Sequence, residues 1–101
     1  MIEATLYYDD RVGTDENEIA ESVKQFLLAL KDTPGLKEVK NYENLMGNPV
    51  HKTSIYFKKL EDWAKFRMSG AYIAAYNVLV KQKVNLRVDI WDEINYYNPE
   101  E

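Results

Sequence analysis

Apolar and polar positions alternate strictly from Ile2 to Tyr8. Ile2, Ala4, Leu6 and Tyr8 fall on one side, and Glu3, Thr5 and Tyr7 on the other. That is the period of a half-buried strand. After a turn over DDRVGT (9–14) the period changes. Ile19, Val23, Phe26, Leu27 and Leu30 recur at helical spacing, opposite Glu16, Glu21, Lys24 and Lys31, and predict a helix whose apolar stripe packs into the core. Thr14 or Asp15 caps it, and Asp15 with Glu18 has capping-box spacing. Thr33-Pro34-Gly35 ends it, because proline cannot continue a helix and disfavours helical geometry in the residue before.

Leu36 to Tyr42 reads as a second strand, and ENLMGNP (43–49) as a loop. A third strand opens at Val50 or His51 and runs to Lys58. Lys59 to Lys83 is a helical region broken at Ser69-Gly70, where one helix can end and another be capped. Trp63 and Phe66, three apart, share a face of its first part, and Tyr72 and Tyr76, four apart, share a face of its second. The clearest alternation in the chain closes it, over Val84 to Asp92. Val84, Leu86, Val88 and Ile90 point one way; Asn85, Arg87, Asp89 and Trp91 point the other. The order β-α-β-β-α-β predicts an α+β sandwich of the ferredoxin-like type, with an antiparallel sheet, helices on one face and the first strand central, beside the third and fourth.

Helices can cover only one face of that sheet. The other carries Glu3, Thr5, Tyr7, Ser54, Tyr56, Asn85, Arg87, Asp89 and Trp91. A face that spends Tyr7, Tyr56 and Trp91 on exposed positions marks an interaction surface. Two uses compete. The face packs on its own copy in a symmetric dimer, with Arg87 and Asp89 or Glu3 pairing across or along the interface, or it stacks single-stranded RNA. The third strand, KTSIYFKK, has no glycine and lacks the RNA-recognition pattern, and the dimer is favoured.

Composition narrows the choice further. The 101 residues carry a net charge of −4, and a basic stripe of the kind that neutralises phosphates is not evident, so nucleic acid is an unlikely partner. Without cysteine there is no disulfide, thiolate metal site or thiol nucleophile. The start is not a signal peptide and no apolar run reaches membrane-spanning length, so a cytoplasmic protein is expected. One domain over residues 1–93 is predicted, followed by a polar, tyrosine-bearing tail over 94–101.

The step SIYFKKLEDWAKFRMSGAY from third strand into helix, together with Thr33-Pro34-Gly35-Leu36 and VNLRVDIWD, resembles the dimeric α/β-barrel superfamily, and within it the antibiotic-biosynthesis-monooxygenase-like group. The resemblance covers residues 2 to 92. It implies two sheets facing each other in a barrel, with a pocket in each subunit between its own sheet and helices. Members include cofactor-free oxygenases of phenols, haem-degrading enzymes, isomerases and small-ligand sensors. The first-strand asparagine and later-helix histidine of the haem-degrading members are absent here, and no cofactor is implied.

The resemblance therefore directs attention to Trp63, Phe66, Tyr72 and Tyr76 as the roof of such a pocket. Tyr72 and Trp63 are the catalytic candidates, and Phe66, Tyr76, Asn41 and His51 the substrate-binding ones. A cofactor-independent monooxygenase-like activity on a small aromatic or enolic compound is the expectation, because such a reaction needs only an aromatic pocket and a polar group to hold the substrate oxygen. The same aromatics can equally form the helix–sheet core of a non-catalytic ligand-binding or assembly module. Histidine is a common general base, but His51 stands alone in sequence. The carboxylate pairs Asp9-Asp10, Glu61-Asp62 and Asp92-Glu93 are adjacent, so their side chains diverge and no metal site is expected.

Overall fold

A computed structural model describes residues 1–94 together with 97 and 99. The predicted tail lies outside the described residues at 95, 96, 98, 100 and 101. The elements are β1 (Ile2–Asp10), α1 (Glu16–Leu30), β2 (Leu36–Glu43), β3 (His51–Phe57), α2 (Leu60–Arg67), α3 (Gly70–Gln82) and β4 (Lys83–Asp92). Each caps or turns where the local chemistry dictates. The Asp15 carboxylate accepts from the Asn17 N–H at 2.7 Å at the start of α1. Ser69 accepts from the Tyr72 N–H at 3.1 Å and donates to the Phe66 carbonyl at 2.7 Å, so one side chain closes α2 and opens α3. Gly35 sits at φ 77°, and a Cβ there would overlap the Asp62 side chain, so the turn leaving α1 needs glycine twice over.

The four strands order β2-β3-β1-β4, all antiparallel, with β1 central as predicted. This is the ferredoxin-like arrangement. The register sets Ile2 opposite Phe57, Ala4 opposite Ile55 and Leu6 opposite Thr53, placing the inward set of β1 against that of β3. Ile2, Ala4, Leu6, Ile55 and Phe57 are buried together with Leu30, Trp63, Phe66 and Tyr72 in one core. The shortest dimension of the molecule is 18 Å, the thickness of one sheet and one helix layer. The second sheet face is left uncovered.

Two expectations change at the level of packing. The α1 stripe is not core throughout: only Leu30 is buried, Ile19 and Phe26 are half-buried, and Val23 and Leu27 are exposed by about half. The alternation of β4 also breaks. The pairing with β1 shifts between Tyr7 and Asp9, and Asn85 takes φ 57°. This bulge inverts the phase upstream, so Lys83 rather than Val84 is the buried residue at the start of the strand. Asparagine tolerates the left-handed region better than most residues, and its amide donates to Asp9 at 3.0 Å.

Candidate functional site

The aromatic residues of the central helical region meet as predicted, but they meet in the core. Trp63, Phe66 and Tyr72 are buried, and their rings lie 5.1 to 6.3 Å apart around Phe57 and one another in tilted and edge-on pairs. Tyr76 stacks on Tyr72 at 5.9 Å. An open groove of ≈ 450 Å³ runs beside them, lined by Trp63, Arg67, Tyr72, Tyr76, Val88 and Ile90. Burial raises the Tyr72 phenol above its ordinary value, Tyr76 adds to this and Arg67 opposes it, so Tyr72 is a protonated donor. Asn41 and His51 are not part of this group.

They belong instead to the other end of the sandwich, where α1 fails to close over the sheet. A cavity of ≈ 90 Å³ lies there, and its apolar wall includes Leu6, Ile19, Val23, Phe26, Val39 and Leu79. Its polar end is built from Tyr8, Asn41, Thr53, Gln82 and Lys83. The Thr53 hydroxyl donates to Asn41 Oδ1 at 2.8 Å and lies 3.0 Å from the Tyr8 hydroxyl. With its one proton committed to Asn41, Thr53 accepts from Tyr8. Register explains the chain: Asn41 pairs with Thr53 across β2–β3, and Tyr8 lies one inward position from Leu6, the partner of Thr53.

Lys83 is the buried charge of this site. Its ammonium donates to Asp10 Oδ1 at 2.6 Å and lies 5.5 Å from the centre of the Tyr8 ring. Asp10 Oδ2 is bonded to His51 Nε2 at 2.8 Å, and the His51 ring stacks on Tyr8 at 5.4 Å. The Lys83 bond holds the Asp10 carboxyl below its ordinary value, helped by His51 and opposed by partial burial. His51, alone in sequence, thus has companions in space. The Asp10 carboxylate bridges the Lys83 and His51 nitrogens, next to the stretch of cavity wall that Lys83 supplies. Arg11 steadies the junction by donating to the Lys81 carbonyl at 2.9 Å.

Tyr8, Thr53, Gln82 and Lys83 escaped the sequence reading. A polar atom in the inward phase of a strand was the available signal for Tyr8 and Thr53; Gln82 and Lys83, at the helix–strand junction behind a bulge, gave none. Among the described residues no cluster of three or more histidine or acidic side chains could hold a metal ion, and no helix is long and apolar enough to cross a membrane.

On the uncovered face Glu3 Oε2 accepts from Ser54 at 2.7 Å and Thr5 at 2.9 Å, both hydroxyls in residues with 0% exposure. Tyr7 lies under the Arg87 guanidinium at 4.5 Å, and Arg87 pairs with Asp89 at 3.1 Å. Tyr56 lies under Lys40 at 5.6 Å, and Trp91 is 53% exposed. All five residues expected at a dimer interface are thus on one face.

No protein-family model matches the sequence, and no curated protein matches it. Solved structures do match in fold. A dimeric ferredoxin-like protein of unknown function from Thermobifida fusca has TM-score 0.75 and 10% identity, over 89% of this chain and 88% of that one. A hydroxynitrile lyase from Passiflora edulis has TM-score 0.78 and 12% identity, over 95% and 96%. SnoaB, a cofactor-independent oxygenase from Streptomyces nogalater, has TM-score 0.78 and 4% identity, over 94% of each. The chain has the ferredoxin-like fold that these proteins share, as its resemblance to the antibiotic-biosynthesis-monooxygenase-like group implied.

Proposed function

We propose that this protein binds a small phenolic or enolic compound in the cavity between α1, α3 and the sheet and oxidises it with dioxygen, without a cofactor. The observation that carries the reading is an apolar void with a single polar end, into which a buried ammonium, Lys83, is placed. Lys83 stabilises negative charge as it develops on the substrate oxygen. Tyr8, fixed through Thr53 and Asn41, orients the ring. Asp10 holds Lys83, and His51 at the rim passes the substrate proton to solvent. The resulting anion gives electrons to dioxygen; a phenol and dioxygen yield a quinone and water, with no external reductant. The size of the void limits the substrate: ≈ 90 Å³ is below the ~150 Å³ that admits benzene, so one ring, with some outward movement of α1, is the ceiling.

A second reading keeps turnover in the groove beside Tyr72 and Trp63, and is favoured by the protonated Tyr72 phenol there. Oxygen uptake with hydroquinones and cyclic 1,3-diketones separates the two. The cavity reading expects uptake lost in Lys83→Met and kept in Tyr72→Phe; the reverse pattern supports the groove. Saturable binding with no uptake by any compound makes the protein a non-catalytic ligand-binding module and overturns both.

The proposal includes a homodimer in which the faces bearing Tyr7, Tyr56, Arg87, Asp89 and Trp91 pack together. It is supported by the uncovered aromatic face and by the dimeric state named for the Thermobifida fusca protein.

A further inference from the structure

Gln82 closes α3, and its side chain is 8% exposed in the wall of the cavity. Its two polar atoms are treated unequally. Nε2 donates to the Glu18 main-chain carbonyl at 3.2 Å, a bond that ties α1 to α3. A carbonyl oxygen can only accept, so this bond fixes which way the amide is turned. The other atom, Oε1, is buried and has no partner among the described residues. Buried acceptors without partners are rare, and one carried by a residue in a cavity wall is complementary to a donor brought by something else.

The rest of the polar end does not compete for that role. The Lys83 ammonium is a donor, and so serves the substrate oxygen rather than a substrate hydrogen. It is paired with Asp10 at 2.6 Å. The Tyr8 proton is committed to Thr53. Gln82 Oε1 therefore stands as a separate acceptor.

Resting on the function proposed above, we infer that the ligand carries a second hydrogen-bond donor, a hydroxyl or N–H distinct from the oxygen held at Lys83, and that Gln82 Oε1 receives it. The substrate class narrows to compounds such as dihydroxylated single rings or hydroxylated enols. The donor is worth about tenfold in affinity, the net gain of one buried hydrogen bond.

The test uses hydroquinone, with two hydroxyls, and 4-methylphenol, with one and no second oxygen, titrated into the full chain and followed by NMR at Phe26, Leu79 and Gln82. Hydroquinone is expected to bind about tenfold more tightly, to move the Gln82 Cδ resonance, and to lose its advantage in Gln82→Met. Methionine keeps the length of the side chain without either polar atom. Should loss of the Glu18 tie unfold the variant, the Cδ shift in the unaltered protein decides alone. Equal affinities, or a Gln82 signal indifferent to the second hydroxyl, overturn the inference and leave the cavity reading standing. No shift at any cavity residue with either compound overturns both.

Discussion

Asp10 is held below its ordinary value of 3.8 by Lys83, and a depressed carboxyl stabilises the fold only while it is ionised in the folded state. Above the ordinary value that contribution is complete; it drains away as pH falls through the depressed one. Urea midpoints are expected to fall as pH drops below the ordinary value of 3.8 in the wild type and to fall less in Asp10→Asn. Glu3 makes a different case. Its one oxygen serves two buried hydroxyls, Thr5 and Ser54, so Glu3→Ala strands both and costs about 1–3 kcal/mol. In Thr5→Val with Ser54→Ala added to Glu3→Ala, most of that loss is expected to return, which denaturant unfolding of the triple variant measures.

At the scale of elements, the contrast between α1 and the sheet decides what substitutions do. Phe57→Ala empties a site with 0% exposure and is expected to cost about 3–5 kcal/mol. Leu27→Ala, on a side chain 51% exposed, is expected to cost under about 1 kcal/mol by the same chemical denaturation, though both belong to apolar stripes. The strands were legible because a period of two leaves no ambiguity about which side chains share a face, and the helix break was legible because Ser69-Gly70 has a capping chemistry of its own. The stripe of α1 was legible as a stripe. Periodicity, however, reports that a helix has an apolar side and says nothing about whether anything fills the space beneath it. The bulge at Asn85 was invisible for a related reason: no glycine or proline marks it, and one residue of slippage moved Lys83 into the interior. The site followed the same divide. Asn41 and His51 stand out in the sequence only as polar residues, because the pairing of His51 with Asp10 spans 41 residues and comes only with the register.

For the whole molecule, the flat shape and the uncovered aromatic face support the proposed dimer, and light scattering over a dilution series tests it. A mass of twice 11.9 kDa that persists on dilution is expected. Trp91→Arg, which places two further cations face to face across a symmetric interface, is expected to shift the mass toward the monomer while leaving the far-ultraviolet circular dichroism unchanged. A wild-type monomer would free this face for a foreign partner instead.

The half-exposed α1, tied to α3 at Gln82 and lying over a void smaller than a single ring, has a kinetic consequence. In the proposed site a ring fits only when the helix moves outward, so binding waits on that motion. The observed association rate is then expected to stop rising at high ligand concentration and level off at the lifting rate. Amide protons of residues 19–27 would exchange with solvent through that same motion, and a bound ligand would slow them more than those of β1.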